Sequence, residues 1–110
     1  MELEYKNNKL KKSLTTDKGL SKSYGQLSKK LKQRITQLES ADNLLAISKI
    51  PVLRLHQYQG KEAGTWSIDI KDNWRLLFEI REDPIPTLED GGVDLEQVTV
   101  IGIKEISDPH

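Results

Sequence analysis

The stretch TWSIDIKDNWRLLFEI, Thr65–Ile80, decides the fold. Trp66, Ile68 and Ile70 alternate with Ser67 and Asp69, which is the period of two of a half-buried strand. Asp72 and Asn73 supply a tight-turn pair, and Trp74–Ile80 resumes as a β-rich, mostly apolar run. The spacing predicts a hairpin of Trp66–Ile70 with Trp74–Ile80. In its second strand Arg75 falls on the parity opposite Trp74, Leu76 and Phe78. A guanidinium there points away from the apolar face, and its planar fork suits a phosphate.

Working outward, VLRLHQYQ (52–59) sets Leu53 and Leu55 against Arg54, His56 and Tyr58 and predicts another strand, joined to the hairpin by a turn at GKEAG. Residues 82–97, EDPIPTLEDGGVDLEQ, are acidic, with two prolines and a Gly-Gly, and read as a long surface loop. VTVIGIKEI (98–106) is the final strand, and MELEYK, with Leu3 and Tyr5 on one side, the first. Between them the period changes. Leu10 and Leu14 predict a short helix, and Asp17–Gly19 a turn. Leu20, Tyr24, Leu27, Leu31, Ile35 and Leu38 then form one apolar stripe of an amphipathic helix. Ser23 and Gln26 fit a capping box at its start, and Lys29, Lys30, Lys32 and Arg34 occupy its outer face. Asn43–Ile50 reads as a further short helix, ending before Pro51. The expected architecture is a single α+β domain over 1–110, with the N-terminal strand and helices on one face of a small, largely antiparallel sheet. The other face is left for function.

Composition narrows the function. Cysteine is absent, which excludes disulfides and thiolate metal sites. The opening MELEYK carries no apolar segment of a secretory signal, and no apolar run approaches the roughly 18 residues of a membrane span. A cytoplasmic protein with no membrane partner is expected. Formal net charge is zero, against the basic balance usual in a nucleic-acid binder. The charge is divided unevenly, however. Residues 1–54 hold 12 Lys and Arg against 5 Asp and Glu, and residues 55–110 hold 5 against 12. Such a split marks an electrostatic footprint or a solvated lysine-rich helix, and charge alone leaves both readings open.

The chain has two histidines, His56 and His110. If the last strand runs to the end, Asp108 and His110 share a side, and His56, Arg75, Asp108 and His110 converge on the open face of the sheet. Each alone has an ordinary explanation, but together they suit RNA cleavage by its own 2′-hydroxyl. A base removes that proton, an acid protonates the departing 5′-oxygen, and a cation steadies the added negative charge. No clustered metal-ligand spacing, Gly-x-Ser-x-Gly elbow or phosphate-cradling glycine loop is present.

The series LRLHQYQG, GTWSIDIKDNWRLLFEI and the ending EISDPH resembles the HigB-like toxins of the RelE/ParE superfamily, also called plasmid maintenance system killer proteins. It is carried by Lys49–Ile80 and, to a lesser extent, the C-terminus; the helical half matches by layout. The resemblance implies a type II toxin that enters the ribosomal decoding site and cuts mRNA with no metal or cofactor. It implies a HigA-like helix-turn-helix antitoxin encoded beside it, through which the pair meets operator DNA. The family histidine falls on His56, the Asn-Trp-Arg arginine on Arg75, and the terminal aspartate and histidine on Asp108 and His110. Pro109 stands where the family has tyrosine, Gln59 where lysine is frequent, and the 82–97 loop is longer than in many relatives.

The expected protein is therefore a ribosome-dependent, metal-independent mRNA endonuclease. His56 and His110 are its acid and base in an order left open, Asp108 orients a histidine, and Arg75 holds the scissile phosphate. Arg54 and Trp74 are further RNA contacts, and Lys29, Lys30 and Lys32 meet ribosomal RNA. Two rivals stand beside this reading: a catalytically impaired homologue that binds antitoxin and tunes repression, and a ParE-like gyrase inhibitor.

Overall fold

The computed structural model describes residues 1–108. The strands are β1 (Glu2–Tyr5), β2 (His56–Gln57), β3 (Trp66–Lys71), β4 (Trp74–Ile80) and β5 (Val100–Ser107). The helices are α1 (Asn8–Thr15), α2 (Asp17–Tyr24), α3 (Ser28–Ser40) and α4 (Leu44–Ser48). The five strands form one sheet in the order β1-β5-β4-β3-β2. β1 runs parallel to β5, and the other neighbours are antiparallel. Ile68, Leu76, Phe78, Ile101 and Ile103 of the sheet are fully buried together with Leu31, Leu38, Leu44 and Ile47 of the helices. Each such side chain contributes about 1.5–3 kcal/mol of hydrophobic stabilisation. The α+β architecture with helices on one face is the expected one.

Three local expectations are corrected. Asp17–Gly19 is the first turn of α2 rather than a connecting turn. Thr16 caps that helix, its Oγ1 accepting from Gly19 N at 2.9 Å, and Asp17 faces the positive helix end. A Cβ on Gly19 would lie 2.3 Å from Lys12 O, so the glycine is what lets α1 and α2 fold closely together. The long stripe is also divided. Gly25, with φ +50°, ends α2, a 3-10 turn follows at Gly25–Leu27, and α3 begins at Ser28, so the Ser23–Gln26 capping box does not form. The run 52–59 is mostly not a strand. Pro51–Leu53 makes a 3-10 turn, Arg54 takes a left-handed φ of 46°, and only His56–Gln57 pairs with β3.

Arg34 is the largest correction to the outer helix face. It is buried, and its guanidinium reaches the hairpin. Nε donates to Asp69 O at 2.8 Å, Nη2 to Ile70 O at 3.2 Å and Nη1 to Gln37 Oε1 at 2.9 Å. Those carbonyls lie where the β3–β4 register shifts, between Asp69 and Lys71. Burial lowers the Arg34 pKa, and the charge of Asp69 opposes that shift.

The 82–97 segment is a loop, as expected, with its own internal fastening. Thr87 bridges Val93, and Glu82 Oε2 accepts from Thr99 N at 2.6 Å and Val100 N at 3.2 Å. The loop thus returns the chain directly into β5.

Candidate active site

The register of the hairpin determines which residue of β3 faces Arg75. Lys71 pairs with Trp74 around the Asp72–Asn73 turn. An unbroken ladder would then set Ile70 opposite Arg75, and paired residues share a face. The observed partner of Arg75 is Asp69, because Ile70 is the extra residue of a β-bulge. The bulge keeps Ile70 buried and brings Asp69 opposite Arg75, whose open-face position follows from the alternation of β4 with Leu76, Phe78 and Ile80 buried. Arg34 donates to the two carbonyls at this bulge and so supports the register from the helix side.

On the open face His56 pairs with Ser67, and Arg75 pairs with Asp69 on one side and Ser107 on the other. Arg54, Leu55, His56, Ser67, Asp69 and Arg75 line a cleft of about 250 Å³. Asp69 sits between two guanidiniums: Arg75 Nε is 3.6 Å from Oδ1, and Arg54 Nη1 is 3.6 Å from Oδ2. These are loose ion pairs, longer than a charge-assisted hydrogen bond of about 2.7–2.9 Å. Two cations against one carboxylate leave an excess positive charge for an anion to meet.

Tyr58 joins the other two groups. Arg75 Nη1 donates to Tyr58 Oη at 3.4 Å, and the Tyr58 ring stands edge-on to His56 with centroids 4.7 Å apart. The hydrogen bond to Tyr58 raises the Arg75 pKa; slight burial opposes it, and the Tyr58 and Asp69 charges add to it. Arg75 is thus a permanent cation held in one direction. The left-handed backbone at Arg54 is uncommon for a residue with a Cβ, and it turns the chain so that Arg54 and His56 both line the cleft. The Ser67 hydroxyl is buried in the cleft wall with no hydrogen-bond partner among the described residues.

Of the four residues expected to converge on the open face, His56 and Arg75 line the cleft, and Arg54, expected as an RNA contact, lines it with them. Asp108 follows the end of β5, one residue past the partner of Arg75, and is half-buried; it is Ser107 that takes the open-face register position. His110 lies outside the described residues. Trp74 does not join the cleft. It lines a hollow on the helix side with Tyr24, Leu27 and Lys71. Lys29, Lys30 and Lys32 belong to α3, on the covered side of the sheet, and Lys32 is paired with Asp17 at 2.7 Å. Asp69, Tyr58 and Ser67 were missed as site residues. Strand parity signalled Ser67 and Asp69, and the two-residue step from His56 signalled Tyr58. Among the described residues no group of three His, Cys, Asp or Glu could hold a metal ion.

The model of the HigB-like toxin family, described as the RelE-like toxin of the type II toxin–antitoxin system HigB, matches residues 3–89. The chain belongs to the HigB-like toxin family. The match spans all four helices and the hairpin and stops before β5. As a type II toxin, this HigB-like protein has a cognate antitoxin. A comparison with curated protein sequences returns no match. Among solved structures, a histidine-to-glutamine variant of YafQ from E. coli aligns with a TM-score of 0.55 at 14% identity, covering 98% of this chain and 92% of that one. YafQ from E. coli strain BL21(DE3) aligns at 0.53 and 15%, with the same coverage. A YoeB/ParE toxin from Agrobacterium tumefaciens aligns at 0.54 and 11%, covering 100% of both chains. At these identities the likeness establishes the fold. No helix among the described residues is long and apolar enough to cross a membrane.

Proposed function

We propose that this HigB-like toxin is a ribosome-dependent, metal-independent mRNA endonuclease acting in the cytoplasm. The observation that carries the reading is the cleft in which Arg75 and Arg54 flank Asp69 on the same face as His56. A scissile phosphate displaces the loose contacts of Asp69 and gains forked hydrogen bonds from Arg75. A base takes the 2′-hydroxyl proton, the 2′-oxygen attacks phosphorus, and the 5′-oxygen leaves with a proton from an acid. The products are a 2′,3′-cyclic phosphate and a free 5′-hydroxyl. His56 supplies one of the two proton transfers and His110 the other, with Asp108 orienting or tuning one of the two histidines. Each transfer is worth about 10²–10⁴ in rate. A HigA-like helix-turn-helix antitoxin neutralises the toxin and carries the pair to operator DNA.

The test is mRNA integrity, read by primer extension in a purified translation system with and without the protein, beside a reaction lacking ribosomes. Cuts inside the reading frame that require ribosomes are expected. Intact mRNA with folded protein present would replace this reading with one of antitoxin binding alone. A supercoiling defect of gyrase would point instead to a ParE-like inhibitor.

A further inference from the structure

A further cation of the sheet lies outside the cleft. In β5, Glu105 pairs with Leu77 and Ile103 with Phe78, so Lys104 is the extra residue of a second bulge, a device that re-aims a side chain. Lys104 Nζ donates to Thr65 Oγ1 at 2.8 Å. Thr65 enters β3 on the parity of Ser67 and Asp69, and it is buried. β4 lies between β5 and β3, so the lysine stem crosses β4 to reach that hydroxyl. Lys104 is half-buried, and it forms no ion pair with a carboxylate among the described residues. Arg81, which lies against Gly102 two residues earlier in β5, is the contrast: Glu4 and Glu79 each accept from its guanidinium at 2.9 Å. A half-buried ammonium held only by a neutral hydroxyl is a charge left for an anion to meet.

We infer that Lys104 and the Thr65 hydroxyl form a second anion site, which holds a phosphate of the mRNA strand close to the scissile one at Arg75. The inference deepens the cleavage reading and rests on it. Tyr58 ties the two sites together. Its main-chain N–H donates to Thr65 O at 2.9 Å, and its hydroxyl accepts from Arg75 Nη1. Thr65 and Asp69, the levels of the two cations, are four residues apart, about 13 Å at roughly 3.3 Å per strand residue. Arg75 leans from the Asp69 level toward Tyr58, which shortens the span between the charges to one that neighbouring phosphates of a single strand cover. The ammonium has three donors; one stays on Thr65, and the others face phosphate oxygens. Arg75 grips the reacting phosphate, whereas Lys104 grips one that does not react, so its contribution is to binding and not to the chemical step.

The test uses the full chain, ribosomes and a short synthetic mRNA that carries one neutral methylphosphonate, moved linkage by linkage away from the cut. Lys104→Met keeps the stem across β4 and removes the charge. It should raise KM for unmodified mRNA about tenfold with kcat within about twofold, and make the salt dependence shallower by about 0.7 in the log–log slope, the value for one phosphate of a single strand. One methylphosphonate position beside the cut should raise KM of the parent to the same extent and add nothing to Lys104→Met, since both remove one contact. Lys104→Arg keeps the charge and should restore the parent KM, which a loss of folding in Lys104→Met would leave readable. An unchanged KM in Lys104→Met would overturn the inference. So would a raised KM that no methylphosphonate position reproduces, an outcome that assigns Lys104 to ribosomal RNA. A parent that leaves mRNA intact would refute the cleavage reading alone. Filter binding of the same mRNA–ribosome complex then decides Lys104: a tenfold loss in Lys104→Met, absent with the methylphosphonate, supports the site, and equal affinities overturn it.

Discussion

Arg34 and Arg75 hold the same residue from opposite faces of the sheet. Arg34 comes from beneath, buried among the helices, and takes the main-chain carbonyl of Asp69 in a 2.8 Å bond. Arg75 lies on the open face and meets the Asp69 carboxylate at 3.6 Å. The first contact is short and shielded, and breaking it leaves buried polar groups without partners. The second is long and wet, and an arriving anion can replace it. The difference teaches where each arginine is employed: Arg34 supports the bulge, the bulge sets the Asp69 carboxylate opposite Arg75, and Arg75 stays free to exchange that loose contact for an anion.

The comparison breaks first if Arg75 proves structural. Arg75→Ala should lower ribosome-dependent cleavage about 10²–10³-fold, the scale for losing one group that stabilises transition-state charge. Stability in urea should change by less than about 1 kcal/mol, as for other loose, partly exposed pairs. Arg75→Lys should recover only part of the rate, since an ammonium lacks the fork. A fold lost together with activity would place Arg75 in Arg34's class. The reverse experiment is Arg34→Met, which keeps apolar volume and removes the donors to Asp69 and Ile70. It should cost about 3 kcal/mol, visible as a drop in Tm of roughly 15 °C for a domain of this size. A stable Arg34→Met variant with normal cleavage would show that the bulge holds itself.

Much of this was legible in the sequence, for reasons that differ by element. The hairpin was readable because Trp66, Ile68 and Ile70 alternate and Asp72-Asn73 punctuates. The open-face position of Arg75 was read from parity within one strand, and the structure agrees. The partner of Arg75 was not readable, because a bulge is set by the balance of packing and carbonyl satisfaction across two elements. Arg34 was misplaced for the same reason. Its spacing fits a solvated helix face, and only the tertiary position of the bulge draws it inward. Gly25 split a stripe whose period was otherwise unbroken, since a positive φ at one residue leaves hydrophobic spacing untouched.

Asp69→Asn sharpens the comparison at the shared residue. It preserves the main-chain acceptor used by Arg34 and removes the charge facing Arg54 and Arg75. Stability should move by no more than about 1 kcal/mol. Single-turnover cleavage should fall about tenfold as the two guanidiniums lose their common anchor. RNA affinity should hold or rise, because a competing carboxylate is gone. Equal losses in affinity and rate would mean that Asp69 contacts substrate directly and does more than position the arginines.

The smallest effect tests burial on the covered side without any arginine. Tyr5 of β1 has its pKa raised, first by burial and second by the charge of Glu39. A raised phenol is neutral in the folded state at a pH where the unfolded chain already ionises. Its contribution to stability is therefore complete below the unfolded value of about 10 and is lost as pH climbs through the higher folded value. Tyr5→Phe cannot ionise in either state. Near pH 7 it should differ from the parent by about 0.5 kcal/mol or less, and above pH 10 it should lose stability less steeply. Urea midpoints at several alkaline pH values measure that slope. Parallel slopes for the two proteins would mean that Tyr5 titrates as if in water, and that the edge of the covered face at β1 is wetter than its centre at Arg34.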